Sequence, residues 1–120
     1  MLPKKNRTDK KLVEKIFKEG KFISSRDLAF KFFITKENIK KISFITPKAV
    51  SKKATDRNLL RRRGYFILKK HIDLLPNSIS GVFIFNKHSM EAFGSKKNKT
   101  RNPILILEKE IVSILKRIRI

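Results

Sequence analysis

Residues 79–86, ISGVFIFN, admit few folds, because Val82 and Ile84 alternate with Phe83 and Phe85 and make the strand apolar on both faces. Such a strand belongs in a sheet with one face under helices, and its other face needs further cover or a ligand. The stretch 27–35, DLAFKFFIT, repeats the condition, with Leu28, Phe30 and Phe32 on one face and Ala29, Lys31 and Phe33 on the other. Ten Phe among 120 residues, with only four Gly and four Pro, supply one hydrophobic core, and the length suits a single domain.

The remaining elements follow from periodicity and punctuation. Thr8 or Asp9 caps a helix predicted over 8–19, whose apolar positions Leu12, Val13, Ile16 and Phe17 keep helical spacing and which Gly20 stops. Residues 41–46, KISFIT, predict a strand near enough to 27–35 to return antiparallel as its hairpin partner. A second helix is expected from Ser51 or Thr55 to His71, although Gly64 in its interior costs about 1 kcal/mol relative to alanine. Pro76-Asn77-Ser78 marks a turn, and the polar connection 87–102 carries no assignable structure. A last helix over 104–118, behind Pro103, places apolar residues at 104, 107, 111, 114, 115 and 118. The expected class is α/β, of the α+β sandwich kind. Its order is α-β-β-α-β-α with room for one extra short strand, in one domain over 1–120 with a flexible arm at 1–7.

Charge narrows the function. Lys and Arg number 31 against 10 Asp and Glu, a formal charge of +21, and self-repulsion of that size calls for an anionic partner. The bias peaks between Lys48 and Lys70, where nine basic residues face one acid. At 100° per residue, Arg57, Arg61 and Tyr65 form one row of the second helix and Asn58, Arg62 and Lys69 the next, with Leu59, Leu60, Phe66 and Ile67 on the opposite arc. Arg63 points into that apolar arc. A face of guanidinium forks, with Lys48, Lys52 and Lys53 just before it, fits phosphate oxygens, and both nucleic acid and an anionic membrane surface present them. The plain alternative is a solvated helix face. Lys4, Lys5, Arg7, Lys10 and Lys11 form a second cluster, and Lys96, Lys97, Lys99 and Arg101 a third; each reads equally as a clamp or as solvated chain.

A catalytic role for the side chains finds no support in the sequence. The acids are scattered among lysines on helix surfaces, His71 ends the basic helix where a cation is favourable, and His88 lies in a polar connection. No nucleophile spacing and no glycine-rich phosphate motif is present, so neither protein-bound metal nor small-molecule substrate is expected. With no cysteine, no signal-peptide pattern and no run of about 18 apolar residues, a cytoplasmic protein that does not enter the membrane is expected.

Ala54 followed by Arg57-Asn58-x-x-Arg61-Arg62, in a basic helix after two strands, resembles the signature of the bacterial ribonuclease P protein subunit. The resemblance extends to the basic opening Leu2 to Arg7, to Ile16-Phe17-Lys18-Glu19-Gly20, to Arg26 before the first long strand, and to the element order. It implies a left-handed crossover through the signature helix, against the usual right-handed rule. It also implies a protein that binds a large catalytic RNA and helps it remove the 5′ leader of precursor tRNA. The RNA would perform the hydrolysis with its own bound Mg2+, and the protein would hold no catalytic residue. Arg57, Asn58, Arg61 and Arg62 match the RNA-contacting positions. Phe17 matches an aromatic position of a leader cleft that would also hold Val13, Lys31 and Phe33; taken alone, Phe17 reads equally as core. Val13 and Lys31 depart from frequent aromatics of that family, and Leu59 from a frequent basic residue. The alternative is an RNA-binding protein of another ribonucleoprotein, such as the ribosome.

Overall fold

The computed structural model describes residues 7–87, 89 and 103–118. The predicted arm up to residue 6, His88 and the basic cluster Lys96, Lys97, Lys99 and Arg101 lie outside the described residues. The elements are α1 (Lys10–Glu19), β1 (Lys21–Ser24), β2 (Leu28–Ile34), β3 (Lys40–Ile45), α2 (Ala54–Lys70), a 3-10 turn (Ile72–Leu74), β4 (Ile79–Phe85) and α3 (Pro103–Lys116). They form one α+β domain, a four-stranded mixed sheet with helices on both faces. The extra short strand is β1, whose four residues KFIS follow Gly20 too closely to show a period of their own.

The sheet order is β1-β2-β4-β3, antiparallel between β1 and β2 and between β2 and β4, and parallel between β4 and β3. This corrects the expected hairpin: β3 does not pair with β2, because β4 lies between them. The reason is burial. Six of the seven residues of β4 are buried, and only a central position gives that strand a partner on each side. The strand with Lys40 and Lys41 takes the edge instead, and the Lys40 ammonium donates to the Ile72 carbonyl at 2.8 Å. The parallel pair β3 and β4 is joined through α2.

One face of the sheet carries Leu28, Phe30, Phe32, Ile42, Phe44, Phe83 and Phe85, and packs with Leu60, Tyr65, Ile67 and Leu68 of α2 and Leu107, Ile111, Ile114 and Leu115 of α3. Rings continue across three strands: Phe30 stacks on Phe83 with centroids 4.3 Å apart, and Phe83 on Phe44 at 4.8 Å. Gly81 leaves room for this, since a Cβ there would meet the Phe30 ring at 2.5 Å. Tyr65 meets Phe44 edge-on at 4.9 Å, and its hydroxyl accepts the Phe44 N–H at 3.1 Å, satisfying a donor on the edge strand.

The opposite face is crossed by α1. Asp9 caps it by accepting the Leu12 N–H at 2.8 Å, while Thr8 turns to Ser43 of β3. Ile16, fully buried, is the residue α1 sets into the sheet. On the far side of the molecule, Glu110 of α3 accepts from the Asp27 N–H at 2.9 Å and from the Ser25 hydroxyl, tying α3 to the β1–β2 turn. His71, expected as a terminal cation, places Nε2 3.0 Å from a Glu108 carboxylate oxygen and links α2 to α3.

The interior glycine of α2 has a structural cause. A Cβ on Gly64 would stand 2.5 Å from the Phe44 ring, and that ring is held by Phe83 and Tyr65. Gly64→Ala should therefore lose about 1–2 kcal/mol of stability from overpacking, despite the gain in helix propensity. Urea unfolding checks this; a more stable variant would contradict the packing argument.

Candidate nucleic-acid interface

Packing on both β3 and α3 turns α2 differently from the sequence wheel. Leu60, Gly64, Tyr65, Ile67 and Leu68 are buried, so Tyr65 leaves the outward row assigned to it. Phe66 leaves the apolar arc and is 55% exposed, with the Lys70 ammonium 4.5 Å from its ring centroid. The outward row at i+4 spacing is thus Asn58, Arg62, Phe66 and Lys70. Arg63 is half-buried at the margin of the buried arc.

The four signature residues share this end of the helix but not the same freedom. Arg62 and Asn58 are exposed, and Arg61 donates to the Asn58 side-chain oxygen. With Thr55 these residues line a shallow concavity of about 480 Å³. Arg57 is half-buried, and its Nη1 donates to the Ser51 carbonyl at 2.7 Å. Ser51 also donates through its hydroxyl to Asp56 at 2.9 Å and accepts the Lys53 N–H at 3.2 Å. These bonds fold the approach loop onto the first turn of α2 and bring exposed Lys52 and Lys53 beside the arginines. Lys48 is exposed in the preceding turn. Among the described residues no carboxylate forms an ion pair with Arg57, Arg61 or Arg62, whereas Arg26 pairs with Asp27 and His71 with Glu108. Asp56, bonded to the Ser51 hydroxyl, is the one acid beside Arg57, while Arg61 and Arg62 keep their positive charge without a carboxylate partner.

A second surface lies on the other side of the sheet. Beside α1, the floor runs through Lys31, Val82 and Ser43, and then through Ala29, Ile84 and Ile45, paired across β2, β4 and β3. Ala29, Ile84 and Ile45 are only half-buried, which answers the question the two-faced strands pose: among the described residues, part of this face is left open beside α1. Phe17 is 42% exposed, and the Lys31 ammonium lies 5.1 Å from its ring centroid. Val13 is on the same flank of α1 and borders a hollow of about 610 Å³ with Thr8, Lys10, Lys41 and Ser43, at the edge where Tyr65 of α2 also arrives.

Of the four predicted cleft residues, then, Val13, Phe17 and Lys31 come together and Phe33 does not. Lys15 stands over Phe33 at 5.3 Å, and Lys15 and Phe17 differ by 200° around the helix at 100° per residue, which puts the body of α1 between them. Residues that sequence reasoning left out are Lys41 and Ser43 on the edge strand and Phe22 on β1, 58% exposed. Phe22 carried no periodic signal because β1 itself carried none.

What the described residues offer is binding chemistry: exposed guanidinium and ammonium donors on one side, and an open groove with a ring and a cation on the other. No three His, Asp or Glu among the described residues gather as a metal-holding group, and no described helix is long and apolar enough to cross a membrane.

The family model described as Ribonuclease P matches residues 2–117. Among solved structures, the chain is similar to the RNase P protein from Thermotoga maritima, at 23% identity and a TM-score of 0.76, covering 89% of this chain and 91% of that one. It is also similar to the RNase P protein of Staphylococcus aureus, at 14% identity and a TM-score of 0.75, covering 95% and 94%. A second structure of the S. aureus protein gives 19% identity and a TM-score of 0.71, with 97% and 91% covered. These likenesses speak for the fold. No curated protein matches the chain.

The two kinds of arginine should separate in experiment. Arg62→Ala should weaken binding to structured RNA and lower the slope of log affinity against log salt by about 1, with an unchanged melting temperature. Arg57→Ala should in addition lose about 1–2 kcal/mol of stability, because a charge-assisted bond to Ser51 goes with it. Salt titrations and thermal melts on both variants check the contrast.

Proposed function

Since the chain belongs to the ribonuclease P protein family, whose model spans residues 2–117, we propose that it binds the catalytic RNA of that endoribonuclease and the 5′ leader of precursor tRNA. Membership makes it a subunit of a tRNA-processing ribonucleoprotein; the finer division of labour is our reading. The observation that carries it is the pairing of two unlike surfaces on opposite faces of one sheet.

On this reading the α2 face holds the catalytic RNA. Arg61 and Arg62 present planar forks to phosphate oxygens, Lys48, Lys52 and Lys53 add point charges, and Arg57 keeps the lysine-bearing loop in place through Ser51. Asn58 orients Arg61 by accepting from it. The leader lies in the groove beside α1, where Phe17 gives a ring for an unpaired base and Lys31 a charge for the adjoining phosphate. Stacking on a ring is worth about 1–3 kcal/mol per base, enough to favour a precursor with a leader over a mature tRNA. The groove floor of Ala29, Ile84 and Ile45 tolerates any base, as a subunit acting on many leaders requires.

Bond cleavage is assigned to the RNA, with Mg2+ held there; the protein positions the substrate and neutralises phosphate in a cytoplasmic complex. The test is cleavage of precursor tRNA by the catalytic RNA at low Mg2+, with and without this chain. Stimulation by the chain is the expected result. Failure to stimulate, with the chain folded and bound to RNA, would return it to the RNA-binding proteins of another ribonucleoprotein.

A further inference from the structure

Phe22 stands outside every position assigned above, yet it faces the same groove. It pairs directly with Lys31 across the β1–β2 ladder, and side chains of directly opposed residues share one face of a sheet with Cβ atoms about 5 Å apart. The Lys31 ammonium in turn reaches toward α1, 5.1 Å from the Phe17 ring centroid and 3.4 Å from the Phe17 carbonyl. Lys31 thus stands between Phe17 of α1, whose ring its ammonium approaches, and Phe22 of β1, its partner across the ladder, and the two rings are 42% and 58% exposed.

The structure offers no apolar reason for this placement. Phe22 is absent from the hydrophobic cluster between the sheet and α2 and α3, which takes only Ile23 from β1. An exposed ring on a short edge strand is a liability unless something covers it. Its surroundings select the cover by charge: Lys21 precedes it, Lys31 is opposite, and Lys18 lies in the last turn of α1, which Glu19 ends, so cations outnumber the one acid, in a chain of net charge +21.

We propose that Phe22 is a second stacking ring, so that the groove beside α1 takes two successive unpaired nucleotides, one base on Phe17 and one on Phe22, with the intervening phosphate at Lys31. The occupant is single-stranded RNA, and the site continues the groove outward over β1. This rests on the leader-binding reading, and it adds to it a specificity residue and a direction of exit.

The experiment compares the affinity of the holoenzyme for precursor tRNA carrying a leader of several nucleotides with its affinity for the same tRNA without one. Phe22→Ala should cut that ratio by about fivefold or more, the range expected for one lost base stack. Phe22→Leu, apolar but without a π-face, should lose as much, and Phe22→Trp should retain it. Thermal melts should be unmoved, since the ring is exposed. An unchanged ratio in Phe22→Ala, in a complex that the wild-type chain stimulates at low Mg2+, overturns the second ring and leaves the proposed function standing. Should the wild-type chain give no stimulation, that function fails, and Phe22 is judged by binding of a fluorescent five-nucleotide RNA to the chain alone: loss on Phe22→Ala upholds stacking, and equal binding overturns it. Sedimentation that shows a wild-type dimer abolished by Phe22→Ala, with the leader ratio intact, would make the ring a contact between copies and likewise overturn the proposal.

Discussion

A stack of rings, Phe30 on Phe83 on Phe44, holds this molecule in register, and both candidate surfaces depend on it. The stack fixes β4 between β2 and β3. Phe44 then fits against Gly64, which draws α2 close to the sheet, and Tyr65 closes the contact with a hydrogen bond to the edge strand. Once those residues face inward, helical geometry leaves Asn58 and Arg62 facing outward. The direction of the arginines is thus a result of aromatic packing on the far side of their own helix.

The sequence made three helices and three long strands legible, because each has apolar residues at a period that a helix or strand can bury. It did not make strand order legible. Pairing is decided by which strand most needs two neighbours, and Val82, Phe83 and Phe85 express that need only in competition with Phe30 and Phe44. The face of α2 differs from the wheel for a similar reason: a wheel with one buried side suits a helix against a sheet alone, whereas α2 packs on β3, where Tyr65 meets Phe44, and also on α3, so its buried arc widens and Phe66 turns out. Of the candidate site, charge density marked Arg61 and Arg62, and the signature pattern rather than charge marked Asn58. The tie of Arg57 to Ser51, the separation of Phe33 by the body of α1, and the place of Phe22 all depend on contacts that no local pattern encodes.

Residues 13 and 31 bear on how such a groove works here. Val13 offers no π-face, and Lys31 substitutes a cation that leans on Phe17. A groove with fewer rings and more charge relies more on phosphate, and phosphate contacts weaken with salt in proportion to the counterions released. Binding through this groove would therefore respond more to ionic strength than binding through a purely aromatic one.

The helix α2 and the groove beside α1 occupy opposite sides of a single sheet, and the hollow where Thr8, Lys10, Lys41 and Ser43 meet Tyr65 joins them around the edge of β3. A ligand assembly that touches both sides engages the protein bivalently. Attachment at the first side raises the local concentration seen by the second, so two modest affinities combine into strong retention. A rigid sheet, unlike a flexible tether, also fixes the span at which that avidity operates, and fragments presenting either half alone would be held far more weakly than the intact assembly.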